Sequence, residues 1–237
     1  MTPAPTVSLV IPVLGDRAAL RELLEHIQRM PARPDQIIVV DGGDDPRCAA
    51  LCARHGAVCL RTRPGRGHQL HAGAMRSAGD VVWFLHADAE PAPDAVARIR
   101  ETISTGAIGG YFRFRFTGPG GWHKSLLATL INWRCRIGVP YGDQGLFVAR
   151  STYAETGGFE DVPLFEEVRF VRDARRAGRF AALATPLGVS PRRWERDGWW
   201  RRTLHNRALA LGYLLGVPPA RLSRRYAASR GKRPARC

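Results

Sequence analysis

No apolar run in this 237-residue sequence reaches the roughly 18 residues that a membrane-spanning helix requires. The first six residues, Met1 to Thr6, carry no basic segment, and the first apolar run, Val7 to Leu14, is broken by Pro12, so no secretory leader is expected. These absences predict a protein made and kept in the cytoplasm. Cysteine is sparse and odd in number: Cys48, Cys52, Cys59, Cys135 and Cys237, with no CxxC pair. That pattern signals neither a disulfide framework nor a zinc site, and incidental thiols are expected. Lysine is nearly missing. Only Lys124 and Lys232 accompany the arginines, so the net charge of +15 reflects arginine usage and by itself says little about a partner. There is no GxGxxG after the first apolar segment, which a dinucleotide-binding domain would need. Nor is there a Gly-rich loop with Arg or Lys, as a sugar-phosphate nucleotidyltransferase would show. That position reads Pro12-Val13-Leu14-Gly15-Asp16.

What is present is a folded chain of one domain. Its hydrophobic fraction is 45%, which excludes a disordered polymer. Val7 to Ile11 reads as a buried strand. Arg17 to Met30 places Leu20, Leu23, Leu24 and Ile27 at helical spacing behind Asp16, a suitable N-cap. Gln36 to Val40 is a β-branched strand, followed by a short helix through Arg54 and a strand at Ala57 to Leu60. A helix over Arg66 to Ser77, a strand over Asp80 to Leu85 and a helix over Pro93 to Thr105 complete an alternating series. Such alternation predicts an α/β fold with a mostly parallel central sheet and helices on both faces. Ligands bind at the carboxyl edge of such sheets, where the acidic loops at Asp41 and Asp88 both fall. In the second half, Tyr111 to Phe116 alternates as a half-exposed strand, and Trp122 to Ile137 reads as a helix. Tyr141 to Gly145 reads as a loop and Leu146 to Val148 as a strand. Glu166 to Ala177 is a helix stopped by Gly178, and strands are expected at Phe180 to Leu183 and Leu187 to Arg193.

Several segments share an order and spacing: Val10-Ile11-Pro12-Val13-Leu14, Val39-Val40-Asp41-Gly42-Gly43, Phe84-Leu85-His86-Ala87-Asp88, and Gly157-Gly158-Phe159 with Glu166-Glu167 after it. In this the chain resembles family 2 glycosyltransferases. Gly142 to Phe147 and Arg192-Arg193-Trp194 narrow the likeness to bacterial arsenosugar-biosynthesis glycosyltransferases, over about residues 7 to 220. The resemblance implies a GT-A fold with a nucleotide-binding N-terminal half and an acceptor-binding C-terminal half. It implies inverting, metal-assisted transfer of a hexosyl group from a nucleotide-sugar, commonly a UDP-sugar, to a hydroxyl or acid acceptor. A catalytically inactive nucleotide-sugar-binding protein is the alternative, with a nucleotidyltransferase behind it.

The resemblance also assigns residues. Pro12, Asp41, Arg66, His68, Ala87 and Asp88 fall on the donor side. Asp41 would accept a hydrogen bond from the base, and Arg66 or His68 would meet the diphosphate at a helix N-terminus. Asp88 matches the last carboxylate of the family's Asp-x-Asp motif, which binds a divalent cation, Mn or Mg. His86 stands where the family has the first Asp, leaving one carboxylate fewer. Glu167 takes the general-base position, where the family usually has Asp, with Glu166 second. Asp143, Gln144, Arg193 and Trp194 fall on the acceptor side. Plainer readings stay open: a strand-end turn for Asp41, an N-cap for Asp88, a solvated first helical turn for the two glutamates, and core packing for Trp194.

The basic excess is concentrated. From Arg192 to Cys237, thirteen Arg or Lys stand against Glu195 and Asp197 alone. The region lacks the aromatic interleaving or zinc spacing of nucleic-acid modules, so no nucleic acid is expected. Trp199-Trp200-Arg201-Arg202, then Leu204, Ala208, Leu211, Leu214 and Leu215 at helical spacing, suggest a peripheral element on an anionic membrane surface. Otherwise the segment packs on the domain. The expected boundaries are a catalytic domain over 1–220 and a basic tail over 221–237. The acceptor stays open among a small polyol or arsenical, a carotenoid and a lipid-linked molecule.

Overall fold

The computed structural model describes residues 3–43 and 45–230, with the side chains of its last helix described through Tyr226. Its first half is the alternating series read from the sequence. The elements are β1 (Val7–Val13), α1 (Arg17–Gln28), β2 (Gln36–Asp41), α2 (Pro46–Arg54), β3 (Val58–Arg61), α3 (Arg66–Met75), β4 (Val81–Phe84), β5 (Ala89–Pro91) and α4 (Ala95–Ser104). The second half adds β6 (Gly109–Phe116), α5 (Trp122–Ile137), a 3-10 turn over Gly142–Gln144, β7 (Phe147–Ala149), α6 (Arg150–Glu155) and α7 (Glu167–Ala177). It ends with β8 (Phe180–Val189), α8 (Arg192–Asp197), α9 (Trp199–Leu214) and α10 (Pro219–Arg230).

Eight strands form one sheet in the order β3-β2-β1-β4-β7-β6-β8-β5. β3, β2, β1 and β4 are mutually parallel, and β7 joins antiparallel on both sides. β6 and β8 pair in parallel, and β5 closes the edge antiparallel. Period-2 alternation sends β1 side chains to opposite faces. Leu9, Ile11 and Val13 enter the core shared with α1, α2 and α4, whereas Val10 enters the core shared with α3 and α7. Both faces of the central strands are therefore apolar, as a sheet covered by helices on each side demands.

Local chemistry sets the helix starts. Asp16 caps α1 by accepting the Ala19 N–H at 3.3 Å. Asp45 caps α2 by accepting the Arg47 N–H at 3.0 Å, with Pro46 in the first turn.

One expectation is corrected. The strands predicted on either side of Pro186 are one strand, β8, because β6 shifts register between Tyr111 and Arg113 and accommodates Pro186 opposite Arg113. Arg192 and Arg193 are not strand residues; they open α8. The boundary expected between residues 220 and 221 falls inside α10. Leu222 of that helix is 1% exposed in a cluster with Phe165, Val168 and Leu209. Lys232, Arg233 and Arg236 of the expected tail lie outside the described residues.

Candidate active site

The carboxyl ends of β1, β2 and β4 form one rim. Asp41 ends β2 and is only 2% exposed. Its Oδ1 accepts the Gly43 N–H at 2.9 Å, while its Oδ2 is buried with no hydrogen-bond partner. A buried acceptor without a donor is costly and marks a place where a ligand N–H fits. Gln69, on α3, ties the neighbouring strand ends together by donating to the carbonyls of Val13 at 2.9 Å and Val40 at 2.8 Å. Pro12 lies beside Val40 in the same register. Ala87 packs against the core between His86 and Asp88, just beyond β4. His68 is half-buried on the first turn of α3.

The second acidic group enters from α7. Phe165 adopts φ 64°, the left-handed region that a bulky residue rarely occupies, and is the one non-glycine to do so among the described residues. Packing overrides that preference: Leu209 of α9 and Leu222 of α10 share a buried cluster with Phe165. The turn at Phe165 places Glu166 and Glu167, 2% and 3% exposed, at the head of α7. Glu166 accepts a hydrogen bond and ion pair from Arg66, the first residue of α3. Gly67 permits this approach, because a Cβ there would stand 2.2 Å from the Glu160 carbonyl oxygen and 2.9 Å from the Glu166 Cβ.

Glu167 is held differently. Its Oε1 accepts the Gly142 N–H at 3.1 Å, and its Oε2 is buried without a partner. Burial, reinforced by the Glu166 charge, pushes its pKa up to about 7, against the pull of Arg66 and the Gly142 N–H. Burial works against the Arg66 charge, yet the two glutamates hold its guanidinium above the ordinary value. Burial lowers His86 to about 3, with the charges of Arg66 and Arg193 acting in the same direction, so its imidazole is neutral at pH 7. Burial raises Asp143, with Arg134, Arg66 and Arg193 pulling it back. Arg66 and Arg193 thus act on both His86 and Asp143, and Arg134 on Asp143.

Asp88 lies 3.8 Å from Arg192, which also donates to Asp16 at 3.3 Å. Asp88 and His86 supply one oxygen and one nitrogen donor, types that a divalent cation such as Mn accepts more readily than Mg does. In this structure Arg192 is the partner of Asp88.

One acceptor-side expectation is corrected, that for Trp194. Gln144 is 0% exposed, and its carbonyl oxygen accepts from the Tyr141 N–H at 2.6 Å and the Cys135 thiol at 3.4 Å. It braces the turn that carries Gly142, while its Nε2 is buried with no partner. Trp194 is buried edge-to-face on Phe116, ring centroids 5.0 Å apart, and offers no stacking face. Arg193 remains exposed and donates to the Tyr226 hydroxyl at 3.3 Å. Sequence reasoning missed Phe165, Gly67, Arg134 and Gln69, and gave Gly142 only as part of the Gly142 to Phe147 segment. Of those missed, only Gly67, a glycine in the first turn of a basic helix, left a local trace.

The sheet order, the acidic rims and the carboxylate pair at the head of α7 define a GT-A glycosyltransferase fold. Among solved structures, a mannosyltransferase from Pyrobaculum calidifontis in complex with GDP-mannose and Mn²⁺ superposes with a TM-score of 0.61. It is 18% identical, covering 79% of this chain and 57% of that one. Glucosyl-3-phosphoglycerate synthase from Mycobacterium tuberculosis, bound to Mn²⁺, UDP and glucosyl-3-phosphoglycerate, gives 0.55 at 20% identity, over 78% and 71% of the two chains. The chain belongs to glycosyl transferase family 2, whose signature matches residues 8–159. An undecaprenyl-phosphate 4-deoxy-4-formamido-L-arabinose transferase from Pseudomonas paraeruginosa is 35% identical over 115 residues, 44% of this chain and 34% of that protein. A glycosyltransferase from Mycobacterium tuberculosis is 33% identical over 110 residues, 44% and 42% of the two chains. The matched region therefore spans less than half of these relatives.

Proposed function

We propose that this protein transfers a sugar from a nucleotide-sugar, in the first instance a UDP-sugar, to an acceptor hydroxyl by single displacement with inversion. The observation that carries this reading is Glu167. It is buried, anchored through one oxygen by the Gly142 N–H, free at the other, and poised near neutrality. A general base works best with such a value, since it is ionised at working pH yet still basic enough to take a proton. Its free Oε2 takes the proton as the acceptor oxygen attacks the anomeric carbon. Glu166, paired with Arg66, keeps that arginine oriented and raises the proton affinity of its neighbour. Asp41 receives the base N–H through its free Oδ2, and Arg66 and Arg193 supply positive potential for the diphosphate. A divalent cation held by Asp88 and His86 would supply further charge neutralisation of the departing diphosphate.

The acceptor is read as lipid-linked, which the narrower arsenosugar likeness would replace with a small polyol or arsenical. The favouring observation is an exposed apolar surface. Of the thirteen large hydrophobic side chains exposed among the described residues, nine lie on α5 and α9 and a tenth, Leu215, caps α9. Trp122, Leu126, Leu130, Trp133 and Ile137 form one stripe; Trp200, Leu204, Leu211, Leu214 and Leu215 form the other. The stripes meet where Trp122 and Trp200 approach to 6.2 Å between ring centroids. Concentration of this kind marks a binding surface. Residues 107–142 and 199–237 contain no Asp or Glu, so the surface suits anionic lipid and repels a second copy of itself. No helix is long and apolar enough to cross a membrane among the described residues.

The mechanism is tested by turnover of a UDP-sugar panel with Mn²⁺ and NMR assignment of the product's anomeric configuration. Inversion is expected, and retention overturns the reading. The lipid reading is tested by flotation, where binding to anionic but not neutral vesicles, weakened by salt, is expected. Equal behaviour on both favours a small soluble acceptor.

A further inference from the structure

Cys48 and Cys52 stand one helical turn apart on the buried side of α2, and Cys59 meets them from β3. Their three Sγ atoms all lie within 4.8 Å of one another. Cys48 and Cys52 are buried, Cys59 is half-buried, and all three are free thiols. Three sulfurs around one centre at a bond length of about 2.3 Å stand roughly 4 Å apart, so small side-chain adjustments close the cluster. Among the described residues no His, Asp or Glu joins it, whereas a closed structural zinc site takes four ligands. Sulfur donors do not suit Mg²⁺ or Mn²⁺, so the cluster is chemically distinct from Asp88 and His86.

Charge selects among the soft candidates. The thiols sit in the apolar core between α1, α2 and β3, and the carboxylates of Asp41 and of Asp45, the latter paired with Arg17 and Arg47, act on Cys48. Three thiolates around Cu(I) leave two uncompensated negative charges, and around zinc they leave one. A trivalent centre leaves none, which burial beside carboxylates favours. We infer that Cys48, Cys52 and Cys59 form a binding site for one trivalent thiophilic centre of the arsenite class. Binding condenses three thiols with one As(OH)₃. Three S–As bonds form, three As–O bonds break, the three thiol protons leave on three waters, and nothing is oxidised or reduced. α2 follows the Asp41 turn directly, so closing the site staples that turn's exit to β3.

The test titrates arsenite into the reduced full-length protein and reads arsenic K-edge X-ray absorption. One arsenic per chain with three sulfur neighbours and no oxygen is expected, with a rise in the thermal midpoint. Cys59→Ser should weaken binding at least tenfold and place one oxygen in the shell, while Cys237→Ser should change neither. An oxygen neighbour in the native chain, undiminished affinity in Cys59→Ser, or retention of Cu(I) or Zn(II) against arsenite overturns the assignment. The native-chain spectrum decides the matter even if the serine variant fails to fold.

Discussion

Asp41 and Glu167 have the same arrangement, a buried carboxylate with one oxygen on a backbone N–H and the other free, yet they are built by opposite means. Asp41 is placed by its neighbours: the end of β2, a glycine two residues on, and the strand ends that Gln69 ties together. Glu167 is placed from a distance. Its backbone donor lies 25 residues earlier, the arginine pairing Glu166 lies 100 residues earlier, and the packing that fixes Phe165 comes from α9 and α10. A locally built group tolerates damage elsewhere in the fold. A remotely built one fails when any of its supports is removed.

The contrast is broken most severely at Glu167 itself. Glu167→Gln should reduce turnover by about 10² to 10⁴ while UDP affinity, read by calorimetry, is unchanged. In the native protein, kcat/KM should be lost as pH falls through about 7, where Glu167 takes up its proton. The stability sign is the reverse. A carboxyl raised from 4.5 favours the fold in its protonated form, and that contribution disappears as pH rises through about 7. Glu167→Gln should therefore be the more stable protein at pH 8, by thermal melting.

Leu222→Ala tests the remote support. Removing a buried leucine side chain costs about 2–5 kcal/mol, measurable by denaturant unfolding. Turnover of the folded fraction should fall as Phe165 loosens, with nucleotide affinity retained. Loss of affinity in step with turnover would mean that the two halves are not separable. Asp41→Ala should do the opposite, weakening nucleotide binding by roughly 10- to 100-fold, as loss of a charged hydrogen bond does, with little change in saturated turnover. The smallest effect belongs to the surface: Leu211→Glu should abolish vesicle flotation while leaving melting temperature and turnover of a soluble acceptor unchanged.

The same contrast explains what could be read in advance. β1, β2 and β4 are apolar runs that lead into acidic loops, and α1 announces itself through Asp16 and the spaced Leu20, Leu23, Leu24 and Ile27. These are short-range signals and the structure reproduces them. α10 was hidden because only Leu222 and Tyr226 interrupt a basic, polar stretch, and its helix rests on packing against Phe165. The merging of two expected strands into β8 depends on a register shift in β6, which no local pattern encodes. The role of Trp194 was misjudged because composition names what a side chain can recognise, whereas packing decides whether anything reaches it. The three thiols were read as incidental because α2 and β3, not a sequence motif, bring them together.

The left-handed turn at Phe165 also has a meaning for the birth of the molecule. A ribosome releases Phe165 and the two glutamates before Leu209 and Leu222, the residues that hold the turn in place. On the proposed mechanism, until α9 and α10 emerge and dock, a nascent chain would have its nucleotide rim but no aimed proton acceptor, and would grip a donor before it could consume one.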